Sequence, residues 1–100
     1  MSRPKYWWHD YVKQAIIHNL AGDGPETIQQ AIIDKAVIKA IAETRQKDRG
    51  DERLKMIDLV YRKRQYNLQG AAVHLHISEG TARDWSREFI YLVMEKAGFL

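Results

Sequence analysis

At 100 residues the chain has room for one domain with a modest core, and having no cysteine it has neither a disulfide framework nor a cysteine-ligated zinc. No apolar run approaches the roughly 20 residues that span a bilayer, and the opening MSRPKYWWHD lacks the apolar stretch of a signal peptide, so a cytoplasmic protein without membrane contact is expected. The net charge of +3 is mild for a nucleic-acid binder but unevenly placed: residues 62–87 hold Arg62, Lys63, Arg64, Arg83 and Arg87 against Glu79 and Asp84, a balance as large as that of the whole chain.

Apolar spacing predicts helices throughout. The first runs from about Lys5 to Leu20 behind Pro4, with a wide face of Tyr6, Trp7, Trp8, Tyr11, Val12, Ala15 and Ile16. Those aromatics either cap the core or anchor a subunit or polymerase contact, where Trp and Tyr are favoured. Ala21-Gly22-Asp23-Gly24-Pro25 breaks the chain. A second helix follows, from about Glu26 to Lys47, with one stripe of Ile33, Val37, Ala40, Ile41 and Thr44 and another of Ile28, Ala31, Ile32 and Ala36. So wide an apolar arc suits a central strut or an interface helix. After a polar hinge at residues 46–50, Asp51 is expected to cap a third helix from Glu52 to about Tyr66. Its core stripe is Leu54, Ile57, Val60 and Tyr61, with Met56 and Leu59 at the edges.

The stretch LQGAAVHLHISEGTARDW, residues 68–85, reads as a helix-turn-helix, two short helices crossing through a tight turn. Leu68, Ala71, Ala72 and Leu75 line the first helix, about Gln69 to Leu75, and the small Ala72 permits close crossing. In the turn His76-Ile77-Ser78, His76 stands where glycine is common and is expected to adopt a left-handed conformation; Ile77 plugs the gap and Ser78 caps the next helix. That helix starts at Glu79, where the dipole favours an anion, and continues through Lys96 with an inward stripe of Ala82, Trp85, Phe89, Leu92 and Val93. Gly98 suits its end, with Phe99 and Leu100 folding back. An ordinary helical hairpin is the plainer alternative. The expected architecture is a single all-α domain of four to five helices, an N-terminal pair in residues 1–50 and the helix-turn-helix part in residues 51–100.

No catalytic pattern stands out, and an enzyme is not expected. His9, His18, His74 and His76 are scattered, and His74 and His76, two apart, fall on different sides of a helix, so no metal site or cofactor is expected. Phosphate-binding glycine loops and nucleophile elbows are absent from the sequence. What remains is binding. In a helix-turn-helix, early residues of the second helix reach base edges and the flanks hold phosphates. The candidates are Ser78, Glu79, Gly80, Thr81, Arg83, Asp84 and Arg87 on that helix, with Arg62, Lys63 and Arg64 as phosphate contacts or simply solvated charge. Arg83 and Arg87, four apart, share one face, and either can bond guanine O6 and N7; Asp84 accepts from a cytosine amine or orients Arg87.

The run DERLKMIDLVYRKRQYNLQGAAVHLHISEGTARDWSREFI, residues 51–90, resembles the C-terminal part of small phage and prophage regulators of Gram-positive bacteria, the ArpU and RinA types. In these, a helix rich in R-L-x-x-I-D-L-V-Y leads into a helix-turn-helix similar to sigma factor region 4, and YWWHDYVKQAI looks like their opening aromatic helix. The resemblance implies a double-stranded DNA binder that reads with residues 78–87 and regulates transcription. RNA polymerase is a further expected partner, and homodimerisation through the aromatic N-terminal helix another. Two alternatives stay open: a small terminase-like DNA-packaging subunit, and a protein-interaction module that keeps the fold without DNA binding.

Overall fold

Five α-helices and no strand occur among the described residues, which are 3–22, 24 and 27–99 of a computed structural model, residues 3–8 by backbone alone. They are α1 (Arg3–Leu20), α2 (Ile28–Arg45), α3 (Gly50–Ile57), α4 (Leu68–Leu75) and α5 (Glu79–Lys96). α3 runs on into a single π-helical turn, Asp58–Arg62. None of the described helices is long and apolar enough to cross a membrane.

The chain is organised around α5, which packs on each of the other four helices and most extensively on α2. Val12 and Ile16 of α1, Ile33 and Val37 of α2, Met56 of α3, and Phe89 and Val93 of α5 belong to one continuous buried cluster. Each large side chain removed from water in this way contributes about 1.5–3 kcal/mol. The radius of gyration, 13.1 Å, is what a folded chain of this length should have.

Local chemistry explains the helix boundaries. At α2 the Thr27 hydroxyl accepts from the Gln30 amide at 3.0 Å, so the helix begins after Thr27 rather than at the expected Glu26, which lies outside the described residues, as do Asp23, Pro25 and Leu100. α1 ends where Gly22 takes a positive φ of 87°. The side chains of Tyr6, Trp7 and Trp8 also lie outside the described residues; of the rest of that expected face, Val12, Ala15 and Ile16 are buried and Tyr11 is half-buried.

The structure departs from sequence expectations in α2 and in α3. On α2, the stripe Ile33, Val37, Ala40 and Thr44 is buried, but of the second stripe only Ala36 is; Ile28 is 82% and Ile32 43% exposed, because they turn away from the face that meets α1, α3 and α5. The third helix starts at Gly50, not at a cap on Asp51: Arg49 takes the left-handed conformation (φ 56°), and Asp51 sits inside the first turn. Gly50 is required there, since a Cβ would lie 2.6 Å from the carbonyl oxygens of Thr44 and Arg45. The same helix closes at Arg62, short of Tyr66; of the predicted stripe Ile57 and Tyr61 are buried, Leu54 and Val60 lie at the margin, and Met56 and Leu59, expected at the edges, join the core. The π turn, marked by the Lys63 amide donating to the Asp58 carbonyl at 2.8 Å, adds one residue to the helix's last turn and shifts the register of the residues that follow.

Candidate nucleic-acid interface

The joint between α4 and α5 is built from paired helix signals. Asn67 begins α4, its side chain accepting from the Gly70 amide at 2.7 Å. His76 ends it in the left-handed conformation (φ 59°, ψ 42°), as the sequence suggested. The His76 amide donates to Val73 at 3.2 Å and the Ile77 amide to Ala72 at 3.0 Å, a closure that folds Ile77 back over Ala72. Ala72 and Ala82 are buried, and Ile77 packs on the core between the two helices. Ser78 then opens α5, its Oγ accepting from the Thr81 amide at 3.0 Å and donating to Thr81 Oγ1 at 2.8 Å. The far end of α5 closes in the same way as α4: Gly98 has φ 85°, and the Phe99 amide donates to Met94 at 2.9 Å, setting Phe99 against the core.

On this frame Ser78, Glu79, Gly80, Arg83, Asp84 and Arg87 are exposed and Thr81 is half-buried. The Arg83 and Arg87 side chains are 54% and 56% exposed, so neither is tucked against the body. Each leans on a carboxylate of its own helix, Arg83 on Glu79 at 2.7 Å and Arg87 on Asp84 at 3.9 Å. Such exposed pairs are worth up to about 1 kcal/mol, and a phosphate or base edge readily replaces the partner.

The three cations ahead of α4 do not act as one group. Arg62 and Lys63 both turn to Asp58, at 3.2 and 3.7 Å, and Arg62 lines a cleft toward α2 that includes Asn19, Ile41 and Arg45. Arg64 goes the other way. It follows the π turn with φ 55°, and the Gln65 amide closes the turn by donating six residues back to Leu59 at 3.1 Å. Arg64 lines a cleft of 360 Å³ with Lys13 and Gln14 of α1, Tyr61, Tyr66 and Asn67. A neighbouring cleft of 130 Å³ joins His9 of α1 to Tyr61, Leu68, Arg83, Ser86 and Arg87. Tyr61 is common to both, and neither is lined by Asp or Glu. The Tyr61 hydroxyl is hydrogen-bonded to Ser86 Oγ, tying the π turn to α5, and burial pushes its phenol above the ordinary tyrosine range.

His9 and Lys13 are the residues that sequence reasoning missed. They are one turn apart beside the α1 core stripe, a visible signal, but spacing does not say which neighbour that flank meets. His9 Nδ1 also lies 3.9 Å from Asp10, on the rim. On the opposite side, Trp85 is covered by the guanidinium groups of Arg49 and Arg53, 5.0 and 5.4 Å from a ring centroid, and Arg53 is paired with Glu88; these arginines brace α3 on α5. Among the described residues no group of three or more His, Cys, Asp or Glu is arranged to hold a metal ion. Compared with models of known protein families, with curated proteins and with solved structures, the chain gives no significant match.

Proposed function

We propose that the chain is a sequence-specific double-stranded DNA-binding regulator of transcription, of phage or prophage type, which acts by binding and not by catalysis. In this reading α4 and α5 form a helix-turn-helix, and the first turns of α5 enter the major groove. The observation that carries it is the outward presentation of Arg83 and Arg87 on a helix whose entry is rigidly capped at Ser78. One turn apart, they reach successive base pairs, and each guanidinium matches the O6 and N7 acceptors of guanine. Gly80, with only the Ser78 hydroxyl near its missing Cβ, leaves space for a phosphate to approach the backbone. Glu79 and Asp84 position the arginines until a base takes their place.

Selection of bound duplexes from a random pool tests the proposal. Enrichment of a defined site is expected, and recovery of no sequence above background would overturn it. RNA polymerase as a second partner rests on the likeness to sigma factor region 4, and pull-down with purified polymerase checks it. One observation favours a protein-interaction role in addition: Ile28 and Ile38 of α2 are 82% and 67% exposed. That surface lies on the helix face turned from the core, so a protein contact there leaves α5 free for DNA.

A further inference from the structure

We infer that α1 supplies part of the DNA-contacting surface: Lys13, across one cleft from Arg64, holds phosphates of the duplex backbone beside the groove that α5 enters. The inference rests on the DNA-binding reading and adds a second, sequence-independent contact to it. Four of the cations nominated from the sequence already have carboxylate partners: Arg62 and Lys63 share Asp58, Arg83 has Glu79 and Arg87 has Asp84. Lys13 and Arg64 have none among the described residues, and the cleft they line contains no acid. Its remaining polar wall is Gln14, Gln65, Tyr66 and Asn67, neutral groups able to donate to phosphate oxygens.

Arg64 is held there at a cost. A non-glycine residue at φ 55° is strained, and Arg64 lines the cleft with α1 while Arg62 and Lys63 pair with Asp58. The cleft is also continuous with the recognition surface, because Tyr61 walls both it and the cleft of Arg83 and Arg87. Lys13, one turn from His9 on α1, therefore extends a basic track from the arginines of α5 to Arg64 in the connection before α4. A polyanion with regularly spaced charges fits such a track, and the duplex backbone is that ligand. Contacts of this kind carry no sequence information but set orientation and salt dependence.

The test uses the full chain and labelled random-sequence duplexes of about 30 base pairs, with affinity followed between roughly 50 and 200 mM salt. Each phosphate contact contributes about 0.9 to the slope of log K against log salt. Lys13→Ala and Arg64→Ala are each expected to lower the slope by about 0.9, and the double variant by about twice that. Lys13→Arg should restore it, and Lys39→Ala, at an exposed position of α2, should leave it unchanged. Since Lys13 is half-buried, Lys13→Gln, which keeps most of the stem, repeats the measurement if the alanine variant loses its helical circular dichroism. Undiminished slopes in Lys13→Ala and Lys13→Gln, with wild-type binding intact, overturn this inference alone. No duplex binding by the wild type overturns the DNA-binding reading itself.

Discussion

The two flanks of α5 are unlike. The flank toward α1 and the connection before α4 presents His9, Lys13, Arg64 and Arg83, and no carboxylate lines its clefts. The flank toward α2 is a cleft of 430 Å³ that holds Glu43, Glu88 and Glu95 beside Tyr91 and Lys47. Arg87 stands on the divide and lines a cleft on each side. The glutamates are largely occupied: Glu43 pairs with Lys96 at 2.7 Å and Glu88 with Arg53, bonds that fasten α5 to α2 and α3. The difference between the flanks therefore lies in what lines their clefts: carboxylates toward α2, and Lys13, Arg64, Arg83 and Arg87 without a carboxylate toward α1.

The sharpest way to break this contrast is to remove one charge from each flank. Arg87→Ala should cost about 1–3 kcal/mol of binding to a selected site, a loss of roughly ten- to a hundredfold, if Arg87 bonds a base. Glu95→Gln, on the other flank, should leave affinity within about twofold or raise it slightly by lowering repulsion. Fluorescence anisotropy on the same duplex measures both. Equal losses from the two variants would mean that the flanks do not differ in function.

Tyr61→Phe separates the wall of the basic flank from its charge. Deleting the hydroxyl removes the bond to Ser86, whose own hydroxyl can turn back to a carbonyl of α5, so the expected loss of stability is about 0.5–1.5 kcal/mol by urea unfolding. The salt slope of DNA binding should not move. A changed slope with unchanged stability would assign Tyr61 to the contact surface instead of the frame.

The two parts of this frame were not equally legible in the sequence. The joint from α4 to α5 was readable because its determinants are local: Ile77 to Ala72 and Ser78 to Thr81 each lie within five residues, although the equally local Asn67 cap was not read. The π turn was not. Its tie to the rest of the fold is Ser86, 25 residues from Tyr61, and that contact leaves no trace in the spacing around residue 60. The split of Arg62 and Lys63 from Arg64 followed from the same turn, so three adjacent cations looked like one patch. His9 and Lys13 were overlooked for the complementary reason: their stripe is visible, but its neighbours on α5 and in the α3–α4 connection are set only by how α1 packs.

His76→Gly should have a smaller effect, and of opposite sign. His76 takes a conformation that suits glycine (φ 59°), and relieving it offsets the greater entropy of glycine in the unfolded chain, for a net gain below about 1 kcal/mol. Because the backbone path is already left-handed, α5 should keep its orientation and both flanks their behaviour. A rise in urea midpoint with unaltered DNA affinity is the expected pair of results; weaker affinity would show that the histidine itself touches DNA.

The smallest effect concerns the acidic flank. The hydrogen bond from Lys96 holds the Glu43 carboxyl below its ordinary value of 4.5, and the same bond raises Lys96. A carboxylate depressed in the folded state contributes stability in full above its unfolded pKa and loses it as pH falls through the lower folded value. Stability should therefore be level above pH 4.5 with respect to this pair, then decline in more acidic solution as Glu43 takes a proton and Lys96 is left without its partner. The pair is exposed, so the decline is slight and salt weakens it further. Urea midpoints of wild type and Glu43→Gln, compared near neutrality and below pH 4.5, should converge as the pH falls. A constant difference across that range would mean that Glu43 braces α2 against α5 through its packing and not its charge, and the flanks would then differ in shape more than in electrostatics.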